Sequence, residues 1–326
     1  MYRSMALLGA ILAGATASAG AGAEEWPARP VTMVVPLAAG GGSDGLARVF
    51  APRLGEILGQ QVVVENIGGA GGMIGAGRVA KAEPDGYQFV LGTSGTHASN
   101  QSIYAKASYN AATDFTPVSL IFEMPLVLTT RKEFPASDLQ GFIAYVRANQ
   151  GSMQYGSSGV GGTGHLACAL LNSAIGVNVT HIPYRGGGPA MQDQVAGRID
   201  YQCPLASIAK PLIEGGQIKA IAIMSKHRSP ILPTLASIHE QGLTDFDASA
   251  WNGIFLPKGT PQAIVKKLRQ AIIATMDTPA VQKRFNELGA TMVPPEQRTP
   301  DYLQKFVEAE IAKWAATIKA ANIKAE

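Results

Sequence analysis

Val31-Thr-Met-Val-Val-Pro-Leu-Ala-Ala-Gly-Gly-Gly-Ser-Asp44, running on into Leu46-Ala-Arg-Val-Phe50, reads as an apolar strand, a glycine-rich turn and the start of a helix. About one domain further along, the same order returns. Met153-Gln-Tyr155 is followed by Ser157-Ser-Gly-Val-Gly-Gly-Thr-Gly-His165 and then by Leu166-Ala-Cys-Ala-Leu-Leu171. Glycine brings bare backbone N–H groups close to a ligand, and a helix N-terminus adds partial positive charge. Such a turn captures carboxylate or phosphate without Arg or Lys. Two of them predict an anionic small molecule held between two lobes.

Around these turns, short β-rich runs alternate with helical patterns. Strands are expected at 31–35, 61–64, 88–91, 126–129, 154–156, 177–181, 201–203, 220–223 and 253–255. Helices are expected at 45–58, 74–81, 139–149, 165–174, 190–196, 206–214, 261–276, 279–288 and 300–320. This alternation indicates α/β architecture with mostly parallel sheets. No low-complexity linker separates the halves, so the lobes are expected to be joined by crossing strands, near 123–126 on the way out and 248–252 on the way back. That divides the chain into lobe 1 (24–124 plus 250–326) and lobe 2 (125–249).

The first residues form a secretory signal. Arg3 is the positive n-region, Met5 to Thr16 is apolar but too short to span a bilayer, and Ala21-Gly-Ala23 is the favoured cleavage site. The expected compartment is the periplasm. A formal net charge of +3, without a run of five basic residues, argues against nucleic acid. The chain has two cysteines, Cys168 and Cys203. An oxidising compartment permits a disulfide; two free buried thiols are the alternative, because spacing alone does not give proximity.

The glycines permit other readings. Gly40, Gly42 and Gly45 match G-x-G-x-x-G, with Glu65 ending the next strand, as in a dinucleotide site. Against that, Pro36-Leu-Ala-Ala39 separates the strand from the first glycine. Gly92-Thr-Ser94-Gly-Thr96 and Gly156-Ser-Ser158-Gly-Val160 each miss the last glycine of a nucleophile elbow. His97, His165 and His181 lack metal-ligand spacing. Anion capture fits best, because Gly92-Thr-Ser-Gly-Thr-His97 also gathers donors after a strand, where open α/β sheets bind ligands. No cofactor is expected.

Together these segments resemble the Bug family, the periplasmic receptors of tripartite tricarboxylate transporters. The similarity spans about Trp26 to Ala320 and rests on Trp26-Pro-Ala-Arg-Pro30, the first glycine loop, Val64-Glu-Asn-Ile-Gly-Gly-Ala-Gly-Gly72 and Ala80-Lys-Ala-Glu-Pro-Asp-Gly-Tyr87. Asp114-Phe-Thr-Pro-Val118, Ile182-Pro-Tyr-Arg-Gly-Gly187, Leu232-Pro-Thr234, Trp251-Asn-Gly253 and Pro257-Lys-Gly-Thr-Pro261 complete it.

The resemblance implies a two-lobe, periplasmic-binding-protein-like (type II) α/β fold with a ligand cleft between the lobes. It implies a solute receptor, not an enzyme, that delivers a small carboxylate to membrane transporter subunits. A monomer is the expected state. Carried over residue by residue, the ligand site comprises Ala39, Gly40, Gly41, Ser43 and Asp44 from the first loop. Ser157, Ser158, Gly161, Gly162 and Thr163 come from the second, with Ala70, Gly71, Thr93 and Ser94 alongside and His165 orienting the second loop. Asp44 is favoured as a helix N-cap over a ligand contact. Pro204 stands where some members carry an acid. With Leu205 and Leu37 it makes the wall apolar, which suits a dicarboxylate with a hydrocarbon or aromatic body. Two alternatives remain open: a ligand-presenting sensor for a signalling system, or an exported nucleotide-dependent enzyme.

Overall fold

Strand β1 (Val31–Val35) is buried at every position but Thr32, as a strand covered on both faces must be. It opens a computed structural model that describes residues 25–184 and 186–324. The expected export signal, residues 1–23, lies outside the described residues.

After β1 come α1 (Gly42–Leu58), β2 (Val62–Asn66), α2 (Met73–Ala80), β3 (Gln88–Thr93), a wide π turn (Gly95–Ser99), α3 (Asn100–Ile103) and β4 (Phe115–Met124). The chain then builds a second sheet. Its elements are β5 (Val127–Arg131), α4 (Leu139–Asn149), β6 (Gln154–Ser157), α5 (Thr163–Ala174), β7 (Thr180–Pro183), α6 (Gly187–Val195), β8 (Tyr201–Gln202), α7 (Ala206–Glu214) and β9 (Ile218–Ile223). Strand β10 (Ala250–Pro257) returns to the first sheet, followed by α8 (Gln262–Met276), α9 (Pro279–Glu287), β11 (Thr291–Met292) and α10 (Pro300–Ala320).

The six-stranded sheet runs β11-β4-β10-β3-β1-β2 and the five-stranded sheet runs β7-β6-β8-β5-β9. Both follow one plan: second strand, first strand, third strand, a strand that crosses between sheets, fourth strand. The glycine turns therefore occupy equivalent places, each following the first strand, β1 or β6, of the parallel trio in its sheet. The expected two-lobe α/β fold is observed. All eight residues of β10 are buried, so this returning strand forms the centre of the larger core.

Three expectations need correction. The sheets are mixed rather than mostly parallel. Strands β1, β2 and β3, and likewise β6, β7 and β8, pair in parallel, but β10 runs antiparallel to β3 and β4, and β5 antiparallel to β8 and β9. The crossing strands enter each sheet from the opposite end, which reverses their direction. The ten-residue β4 is absent from the expected strands, and it contains Pro117, a residue that reads against a strand interior. Proline has no N–H to give to the ladder, and the register with β10 shifts there, between Ile254 and Phe255. The strand expected at 177–181 is β7, displaced to 180–183.

Cys168 and Cys203 form a disulfide, which settles the question left open by their spacing. It ties α5 to the segment just after β8, beside the second glycine turn. The bridge closes a loop of sequence separation 35. Replacing both cysteines with alanine should lower stability by about 4 kcal/mol, the loop-closure value for that separation. An unchanged denaturant midpoint would mean that neighbouring packing already enforces the same geometry.

Candidate ligand-binding cleft

The carboxyl ends of β1 and β3 face those of β6 and β8 across a cavity of about 350 Å³. The first sheet contributes Leu37, Gly42, Ser43, Gly71, Thr93, Ser94, Gly95, Asn100, Ile103, Tyr104, Met124, Ala250, Trp251 and Asn252. The second contributes Val160, Gly161, Gly162, Thr163 and Leu205. A chamber of about 170 Å³ adjoins it through Thr163 and Leu205, with Ser157, Ser158 and Pro204 in its wall. Among the described residues lining either space, none is charged.

Its polar capacity lies in backbone and small side chains. Helix α1 has Gly41 at its N-cap and α5 has Gly162, and neither has a capping side chain. The first-turn N–H groups of both helices are thus left for a ligand or water, at the positive ends of two helix dipoles. Asn252 on β10 braces the first site: its Nδ2 donates to the Gly92 carbonyl (3.2 Å) and to Ser43 Oγ (3.3 Å). Gly71 closes one wall at φ +63, where an added Cβ would sit 3.0 Å from Asn100 Nδ2 and 3.1 Å from Tyr104 Oη. Only glycine fits there.

The second turn is braced by imidazoles. The Gly161 N–H donates to His165 Nδ1 at 3.0 Å, and the His165 ring stacks on His181 with centroids 3.7 Å apart. His181 Nε2 lies 2.8 Å from Ser157 Oγ, which also approaches the Gly159 carbonyl (3.0 Å) and accepts from the Gly159 N–H (3.2 Å). A hydroxyl hydrogen directed at that carbonyl would make the Nε2–H tautomer of His181 the donor to Ser157 Oγ. Burial pushes His165 down to about 3, with His181 adding to the shift, and burial pushes His181 down to about 4. Both rings are therefore neutral near neutral pH. His97 is fully buried, pushed down to about 3 by burial, and stacked on Phe255 at 3.9 Å, away from the cleft lining.

Of the residues expected from the sequence, Ser43, Gly71, Thr93, Ser94, Gly161, Gly162 and Thr163 line the main cavity. Ser157, Ser158 and Pro204 line the side chamber, which Thr163 shares. Ala39, Gly40 and Gly41 form an exposed turn that lines neither. Ala70 lines a neighbouring surface pocket, and His165 sits behind its loop. The N-cap reading of Asp44 is corrected, because α1 starts three residues earlier than expected. Gly41 occupies the cap, while Asp44, in the first turn, accepts from the Gly40 N–H at 2.8 Å and pairs with Arg48 at 3.0 Å. Burial alone would raise its carboxyl; the bonds from Arg48 and Gly40 hold it below the usual range.

Asn100, Ile103, Tyr104, Met124, Gly42, Gly95, Val160, Ala250, Trp251 and Asn252 line the cavity but are not among the expected site residues. The first three follow the π turn, which has neither helical nor strand periodicity. The Trp251-Asn-Gly253 motif was the available signal for the last two.

Residues 46–323 match the tripartite tricarboxylate transporter family receptor. The chain belongs to this family. Its members are solute-binding receptors, and the similarity to Bug proteins is borne out. Protein BugT of Bordetella pertussis is 34% identical over 325 residues, covering 99% of each chain. Among solved structures, MatC from Rhodopseudomonas palustris with bound malate is 40% identical, with a TM-score of 0.76 over 90% of this chain and 100% of that one. The R. palustris protein Rpa4515 with adipate is 38% identical, with a TM-score of 0.78 over 92% and 99%.

The histidines make the stability of this receptor acid-sensitive. An unfolded histidine titrates near 6.5, whereas His165 and His181 titrate at about 3 and about 4 when folded. The unfolded chain therefore binds more protons, so their contribution is complete above about pH 6.5 and is lost as pH falls from there through the folded values. The denaturation midpoint should fall between about pH 7 and pH 4.5, and less steeply in His181→Asn. An identical slope in that variant would remove His181 from the account.

Proposed function

We propose that this chain is a periplasmic receptor that captures a small dicarboxylate between its two glycine turns and delivers it to the membrane subunits of a tripartite transporter. One observation carries the reading: two helix starts without capping side chains face each other across a cavity in which none of the described lining residues is charged and much of the wall is apolar. Each helix start offers roughly half a positive charge, so two of them suit two carboxylates better than one. Leu37, Ile103, Met124, Val160 and Leu205 suit the hydrocarbon between them. Among the described lining residues none is acidic, so the ammonium group of an amino acid would go unmatched. The malate and adipate bound in the two R. palustris neighbours have this chemistry.

The Cys168–Cys203 bridge and the apolar leader at the N-terminus support an exported, oxidising setting. The Ser157–His181 contact supports loop positioning, not hydrolysis: the ring of His181 is stacked against His165 and Tyr155, and no carboxylate orients it among the described residues. Capture proceeds by rotation of residues 125–249 against 24–124 plus 250–326, about the two crossings near 123–126 and 248–252. Gly161 and Ile103 already approach across the cleft: a Cβ at 161 would lie 3.0 Å from Ile103 Cδ1. Closure excludes water and strengthens each amide–carboxylate bond. Micromolar affinity, about −8 kcal/mol, suffices for capture and release by a monomer.

Isothermal titration with malate, succinate, adipate, citrate, benzoate and amino acids tests the reading, with dicarboxylates expected to bind. Binding of amino acids alone would sink it. In Gly42→Val the new side chain enters the cavity, its Cβ 3.5 Å from Met124 Sδ. Affinity should fall about 30-fold or more, the loss when bonds to a charged group worth about 2 kcal/mol are blocked, while the melting temperature holds. Full affinity in that variant would place the ligand elsewhere.

A further inference from the structure

A second pocket, also of about 350 Å³, adjoins the cleft and differs from it in charge. Arg78, Lys81 and Lys106 line it, beside Ser108, and none of its described lining residues is acidic. Arg78 reaches Glu65 at 2.7 Å, but Lys81 and Lys106 are exposed and make no ion pair among the described residues. A preference for cations at the end of α2 accounts for Arg78 and Lys81. It does not account for Lys106, which comes from the separate segment between α3 and β4.

The partition between the two spaces is unusual. Tyr104 lines both. Ala70 faces the cationic pocket and Gly71 faces the cleft, within a run of four residues at positive φ: Gly69 (113°), Ala70 (46°), Gly71 (63°) and Gly72 (92°). Ala70 is one of two non-glycine residues at positive φ among the described residues. Backbone held in that region by an alanine is strained, and such strain concentrates at functional sites.

We propose that this pocket is an anion-collecting vestibule: it concentrates a small dicarboxylate at the mouth of the uncharged cleft, which the ligand enters past Tyr104 and the Ala70–Gly71 turn. The inference rests on the dicarboxylate reading above. The two spaces divide the task. Exposed cations attract an anion over the range of a Debye length but hold it weakly, whereas the cleft binds without any charge reaching into solvent. The vestibule therefore acts on association and leaves dissociation alone.

The test is stopped-flow binding of adipate, read by the fluorescence of Trp251 in the cleft wall. The variant is Lys81→Glu/Lys106→Glu. The control is Lys266→Glu/Lys283→Glu, which makes the same change in net charge at exposed positions of α8 and α9. At about 10 mM ionic strength, kon should fall about 10-fold in the vestibule variant and much less in the control, with koff unchanged. At about 0.5 M salt the difference should vanish. Equal kon in wild type and variant, an effect carried by koff, or an equal loss in the control would each overturn the vestibule alone. A wild-type protein that binds no mono-, di- or tricarboxylate would overturn the receptor reading and the vestibule with it.

Discussion

Two helices that begin without a capping side chain set the terms for the rest of the cleft. The amides at the start of α1 and α5 have no intrahelical partner, and Gly41 and Gly162 supply none. A buried amide without a partner is costly, so these groups must meet water or a ligand. Because the positive potential comes from backbone, the cleft has no Arg or Lys among its described lining residues, and its walls are free to be apolar. The price is precision: amides select a ligand only where the turns that carry them are held still.

Each turn is held by different chemistry at the equivalent place in its sheet. On the first, Asp44 draws the Gly40 N–H inward and is matched by Arg48, so its negative charge serves the turn and does not face an incoming carboxylate. Asn252 adds a bond to Ser43 from a strand far away in sequence. On the second, neutral imidazoles do the same work, with the disulfide fixing α5 behind them. Asp44, Asn252 and His165 are buried and His181 is half-buried, behind turns from which Ser43, Gly161 and Gly162 line the cavity.

Much of this was legible in the sequence. Helix α4 spans the expected 139–149 and α10 the expected 300–320; in the structure Asp138 caps the first, accepting from the Gly141 N–H, and Thr299 caps the second, with Pro300 in its first turn. The glycine turns marked the two helix starts that meet in the cleft. The reading was less complete where local signals conflict with tertiary ones. Pro117 within β4 reads against a strand, although the register shift in β10 accommodates it. A strand buried along its whole length, such as β10, shows no alternation that would reveal which of its side chains faces a ligand. Asn100, Ile103 and Tyr104 reach the cleft from a π turn and a helix of four residues, too short to leave a periodic trace.

The return of β10 bears on how the protein assembles. The five-stranded sheet comes from one continuous stretch of chain, whereas the six-stranded sheet needs both ends of it. Asn252 pairs with Thr93 in the finished ladder, so β3 waits for a neighbour far away along the chain. Contacts so distant in sequence form slowly, because a long loop must close before they yield any stability. The middle of the chain is thus able to fold first, and the half of the cleft that begins the sequence is completed last.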